Sequence, residues 1–89
     1  MASAYDIECD IMAKLKERVD NEVGLRTNIE YFDCVHLYVN FGKYHFDITI
    51  DGDYFVLLLF EGEEELECYG YKTFNGVFNR IKKLLEKYL

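Results

Sequence analysis

The chain has 89 residues, with seventeen acidic and ten basic side chains, a formal net charge of −7, three cysteines and no proline. A chain of this length supports one small hydrophobic core, and its acidic balance opposes direct binding to nucleic acid. The longest apolar run, Tyr54 to Phe60, is too short to cross a bilayer, and the first six residues carry neither a basic nor an apolar leader pattern, so a cytoplasmic protein without membrane contact is expected.

Charge is distributed unevenly along the chain. Residues 1–26 hold six acids and four bases, residues 28–71 hold ten acids and one base, and residues 72–89 hold one acid and five bases. No linker or low-complexity tract divides the sequence, so residues 1–89 read as one α+β domain.

The first element is helical, from about Ala4 to Val23. Ser3 followed by Asp6 forms a capping-box pattern, and Ile7, Ile11, Leu15 and Val19 recur every fourth residue, with Met12 and Val23 widening the stripe. Glu8 interrupts that stripe near the N-terminal end. Gly24 is placed for a left-handed helix ending, with Leu25 folding back toward Val19.

Four antiparallel strands are expected next, over Ile29–Phe41, Tyr44–Ile50, Tyr54–Phe60 and Glu64–Tyr71. Gly42-Lys43 and Gly62-Glu63 suit type II′ turns and Asp51-Gly52 a type I′ turn, which together set a meander. The resulting register points Val35, Leu37, Val39, Phe41, Tyr44, Phe46, Ile48, Ile50, Phe55, Leu57, Leu59, Leu66 and Cys68 inward. It points Cys34, His36, Tyr38, Asn40, His45, Asp47, Thr49, Asp51, Tyr54, Val56, Leu58, Phe60, Glu65, Glu67, Tyr69 and Tyr71 outward.

The last element is a helix with Thr73 as N-cap and an apolar stripe of Phe74, Val77, Phe78, Ile81, Leu84, Leu85 and Tyr88. Arg80, Lys82, Lys83 and Lys87 lie toward its C-terminal end, where cations complement the helix dipole. Each helix has one apolar stripe, so both should pack on the inward sheet face and leave the outward face bare. The expected fold is therefore a four-stranded antiparallel meander with an N-terminal and a C-terminal helix on one face.

Catalytic and metal patterns are sparse. Cys34 with His36 is the only local nucleophile and base pair, but residues i and i+2 on a strand stand nearly 7 Å apart at Cα and no glycine-rich turn offers an oxyanion donor. His36 and His45 fall about 13 Å apart in this register, too far to share a metal ion. Asp47 with Asp51, and Glu65 with Glu67, lack a cleft for paired-carboxylate chemistry. Three cysteines without CxxC spacing indicate reduced thiols. No catalytic residue, cofactor or metal is expected.

The candidate partner-binding residues are Tyr38, Asp47, Asp51, Tyr54, Val56, Leu58, Glu63, Glu64, Glu65, Glu67, Tyr69 and Tyr71. Aromatic side chains supply anchoring area, and carboxylates pair with basic groups on a partner. Without phosphate-neutralising Lys or Arg on that face, base stacking on nucleic acid is disfavoured.

The order helix, meander, helix resembles the double-stranded RNA-binding domain in topology, yet the segment Tyr71-Lys72-Thr73-Phe74-Asn75-Gly76 has one lysine where that family is basic. In size, charge and layout the chain is more similar to the small acidic inhibitors that phages direct against host nucleic-acid machinery, including anti-CRISPR proteins and other nucleic-acid mimics. That resemblance involves no motif and transfers no residue. It implies a non-enzymatic inhibitor acting in a host cytoplasm on a basic protein surface, such as that of a nucleic-acid-processing complex. The alternative is a homodimer or larger assembly, or a chaperone-type protein, that buries the same face against itself.

Overall fold

A computed structural model describes residues 3–31 and 34–88 of the chain. It is an α+β fold: α1 (Ala4–Glu22), β1 (Arg26–Tyr31), β2 (Val35–Phe41), β3 (Tyr44–Asp51), β4 (Tyr54–Glu61), β5 (Glu64–Tyr71) and α2 (Phe74–Tyr88). The strands form one antiparallel sheet in the order β1-β2-β3-β4-β5.

The sheet thus has five strands where four were expected. The segment anticipated as one strand from Ile29 to Phe41 is divided, and its first part folds back so that Arg26 to Tyr31 pairs with Asn40 to Val35. Residues 32 and 33, inside the expected strand, lie outside the described residues. Tertiary contacts account for β1: Thr27 donates a hydrogen bond to Asp20 of α1, and Ile29 packs against the core. Asp20 also receives Lys16 at 2.7 Å, and these bonds, Lys16 first and Thr27 second, hold its carboxyl below the usual range.

The helix signals are met closely. Ser3 and Asp6 form the reciprocal capping box, and the Gly24 amide donates to the Val19 carbonyl at 3.1 Å with φ at +73°. Met12, Leu15 and Val19 are fully buried, whereas Ile7 is 51% exposed, so the apolar stripe is used only beyond the first turn. In α2 the Thr73 hydroxyl accepts from the Gly76 amide at 3.0 Å, and Val77, Phe78, Ile81, Leu84 and Leu85 are buried.

All three hairpin loops have two residues, with glycine first and at positive φ: Gly42-Lys43, Gly52-Asp53 and Gly62-Glu63. Positive φ at the first loop position alone is the type II′ pattern. The middle loop therefore differs from the expected Asp51-Gly52 turn, and Ile50 pairs with Phe55. That shift is by two residues, so the face assignment of β4 is preserved.

One further difference changes the surface. Leu59 pairs with Glu67 while Phe60 pairs with Glu65, so Leu66 is an extra residue in a β-bulge. Beyond it every side chain of β5 changes face. Glu67, Tyr69 and Tyr71, expected outward, stand opposite Leu59, Leu57 and Phe55 on the helix-covered face, and Cys68, expected inward, is exposed.

The core joins Met12, Leu15 and Val19 of α1, Val77, Phe78, Ile81, Leu84 and Leu85 of α2, and the inward rows Val35, Leu37, Val39, Phe41, Phe46, Ile48, Phe55, Leu57 and Leu59. Helix α1 lies against β1 and β2, and α2 against β4 and β5. Both helices therefore use one side of the sheet, and among the described residues no element covers the other side.

Candidate interaction face

The uncovered face is built by alternate residues of all five strands. Register places Asn28 and Glu30 of β1 beside Tyr38 and His36 of β2, and Tyr38 and Asn40 beside Asp47 and His45 of β3. Asp47, His45 and Thr49 then adjoin Leu58, Phe60 and Val56 of β4, and Leu58 and Phe60 adjoin Cys68 and Glu65 of β5. Tyr54 of β4, opposite Asp51 on the same face, is an exposed large hydrophobic residue, at 46%. Val56, Leu58 and Phe60 are half-buried because each is flanked on both sides by strands.

Ring contacts tie the strands together on this face. His36 stacks on Tyr38 with centroids 5.7 Å apart, Tyr38 meets His45 at 6.4 Å, and His45 stacks on Phe60 at 5.1 Å. Tyr54 lies beside Gly70, where a side chain on β5 would touch its ring, and the Lys72 ammonium is 5.5 Å from its centroid. A shallow concavity of about 270 Å³ opens between Asn28, Glu30, Tyr38, Asn40 and His45. Asn28 donates to Glu30 across it at 3.3 Å.

The electrostatics are acidic but interrupted. Glu30, Asp47, Asp51 and Glu65 occupy register positions of the face, and the Lys72 ammonium beside Tyr54 is a positive charge at its border. Burial raises the Tyr38 hydroxyl pKa, with the charges of Asp47, Glu30 and Cys34 adding to it. Asp47 itself is bonded to His36, Oδ1 to Nδ1, at 2.9 Å, and Cys34 Sγ stands 3.3 Å from His36 Nε2.

Of the sequence candidates, the sheet brings together Tyr38, Asp47, Asp51, Tyr54, Val56, Leu58 and Glu65. Glu63 and Glu64 are exposed at the β4–β5 hairpin end, where the neighbouring Glu61 is engaged by Lys43 at 2.7 Å. Glu67, Tyr69 and Tyr71 must be removed from the set, because α2 occupies them. Tyr69 and Tyr88 both donate hydroxyl hydrogens to the Glu67 carboxylate, and Lys87 reaches it at 3.2 Å. The Tyr69 bond first, the Tyr88 bond second and Lys87 to a smaller extent hold the Glu67 pKa down at about 2 against partial burial. Arg80 lies over the Tyr69 ring at 4.4 Å and donates to the Tyr71 hydroxyl at 2.6 Å.

Several residues of this face are missing from the sequence list of partner contacts, among them Asn28, Glu30, His36, Asn40, His45 and Phe60. Asn28 and Glu30 belong to β1, whose existence had no turn signal, although their alternation with Thr27 and Ile29 is a period-2 pattern. The sequence places His36 as an outward neighbour of Cys34 and as too distant from His45 to share a metal, and its approach to Asp47 is missed because it is diagonal across two strands. Among the described residues, no cluster of three or more His, Cys, Asp or Glu side chains is arranged to hold a metal ion, and no helix is long and apolar enough to cross a membrane.

Comparison with protein-family models, with curated proteins and with solved structures finds no match.

Proposed function

We propose that this protein is a non-enzymatic binding protein that docks the open side of its sheet onto a basic surface of another protein. The observation that carries this reading is a half-covered sheet whose free side combines Tyr54, Val56, Leu58 and Phe60 on β4 with carboxylates at Glu30, Asp47, Asp51 and Glu65. Apolar area of this kind is costly to leave in water and favours association, while the surrounding charge selects a positive partner. The concavity beside Glu30 and Tyr38 suits a partner Arg, whose guanidinium could bond the carboxylate and stack on the ring.

A protein surface that normally holds nucleic acid meets these requirements best, since it presents Lys and Arg at regular spacing. The protein would then act as a charge mimic, in the manner of phage-type inhibitors, within the cytoplasm where that machinery works. The net charge of −7 supports this direction of steering.

Self-association is the second reading, favoured by the same β4 row. Asp47, Asp51 and Glu65 would then approach like charges related by symmetry, which opposes it unless the copies are offset. Light scattering after size exclusion separates the two: a monomer unaffected by Leu58→Asp supports a foreign partner, and a dimer dissociated by that change supports self-assembly. Affinity capture then identifies the partner. The reading requires a strongly basic protein whose capture is lost with Leu58→Asp and with paired Asp51→Lys and Glu65→Lys, but retained with Lys83→Glu on α2.

A further inference from the structure

We infer that Cys34 is a thiol–disulfide exchange site for small-molecule disulfides, with His36 as its base and Asp47 as the positioning residue. The inference stands apart from partner docking, because it rests on three side chains and their order.

A carboxylate only accepts hydrogen bonds, so the His36 nitrogen that faces Asp47 at 2.9 Å carries the proton. In a neutral imidazole the other nitrogen, Nε2, is then the acceptor, and it stands 3.3 Å from Cys34 Sγ. The side chains of His36 and Asp47 are 23% and 16% exposed, and the imidazole is stacked on Tyr38, so the ring is held in orientation from two directions. Nucleophile, base and orienting carboxylate therefore occur in working order. The Cα spacing that argued against this pair is overcome because Cys34 and His36 incline toward each other. Among the described residues, charged or titratable neighbours include Glu30 on β1, opposite His36, and Asp47 on β3, with Tyr38 on β2 itself.

The substrate class follows from what surrounds the thiol. In β2, Val35 and His36 pair with β1 alone, Leu37 to Asn40 with both neighbours and Phe41 with β3 alone, and the cluster of Cys34, His36 and Asp47 supplies a thiol, a base and a carboxylate without an oxyanion donor. Acyl transfer needs such donors, whereas displacement at sulfur does not. As Cys34 Sγ attacks one sulfur of the disulfide, the Sγ–S bond forms and the S–S bond breaks. The thiol proton passes to His36 Nε2 and then to the departing thiolate. Cys34 becomes oxidised to a mixed disulfide, and the reagent is reduced to one thiol. Cys68 lies three strands from the β2 row, about 14 Å away, and cannot resolve the product, so exchange is stoichiometric and the mixed disulfide accumulates.

The test uses 2-hydroxyethyl disulfide, a neutral probe, at pH 7, with site-resolved mass spectrometry of the full chain. Cys68, which is exposed, and Cys9, which is half-buried, serve as internal references. Cys34 is expected to react at least about tenfold faster than Cys68, and His36→Gln should abolish that excess. Asp47→Asn should remove most of it and Asp47→Glu restore part, while nitrogen NMR of His36 should show the Nδ1–H tautomer in wild type and a mixture in Asp47→Asn. Equal reactivity of Cys34 and Cys68, an excess that survives His36→Gln, or an Nε2–H tautomer in wild type would each overturn the inference. If His36→Gln fails to fold, the Asp47 variants and the wild-type tautomer still decide it.

Discussion

Glu67→Gln offers a quantitative probe of how β5 is joined to α2. In the native protein this carboxylate accepts from Tyr69 and Tyr88 and pairs with Lys87, and its pKa is lowered from 4.5 to about 2. A shift of that size corresponds to a ceiling of about 3.4 kcal/mol at neutral pH. The site lies at the sheet rim, with the Lys87 side chain 61% exposed, so solvent screening reduces the expected loss to about 1–2 kcal/mol. For a domain of this size that lowers Tm by roughly 5–12 °C. Because the folded pKa lies below the unfolded one, the contribution is complete above pH about 4.5 and is lost as pH falls toward 2. Urea unfolding of wild type and variant should therefore differ at pH 7 and pH 5, and the gap should shrink to about a quarter at pH 2.5 and close only as pH falls below 2. A gap that stays constant with pH, or no gap at pH 7, would refute the ionic account of this junction.

Two further substitutions test the fold. Leu57→Ala, which empties a fully buried position, should cost about 2–5 kcal/mol, whereas Leu58→Ala on the open face should cost much less, as chemical denaturation of both would reveal. Gly52→Ala should cost about 1–2 kcal/mol through its φ of +60° alone, since no atom lies within 4 Å of the added methyl, and Gly52→Asn should recover part of that in the same assay.

What the sequence revealed depended on whether the physics was local. Capping at Ser3, periodicity in α2 and the glycines at 42 and 62 act through neighbouring residues, and their structural counterparts are where expected, while Gly52 still marks a turn but opens its loop instead of closing it. Strand β1 depends instead on distant partners, Asp20 for Thr27 and the core for Ile29, and it is not introduced by a glycine turn. The alternation Glu65-Leu66-Glu67 gave no hint of a bulge. It occurs where the extra residue lets Leu66 stay against the core while Glu67 reaches Tyr88 and Lys87 at the end of α2. That single insertion moved Glu67, Tyr69 and Tyr71 from the candidate face to the helix side. The remaining candidates on β2, β3 and β4 kept their face because the two-residue shift at Gly52 preserves parity.

The association rate with the captured basic partner tests the central claim most directly. For docking through the acidic open face, stopped-flow measurements should show a rate that falls steeply between 50 and 200 mM salt, and that falls further with Asp51→Lys and Glu65→Lys, which lie on that face. Glu67→Gln, whose charge is used within the fold, should leave the rate nearly unchanged. A rate indifferent to salt and to both reversals, or one reduced chiefly by changes on the exposed side of α2, would contradict docking through this side of the sheet.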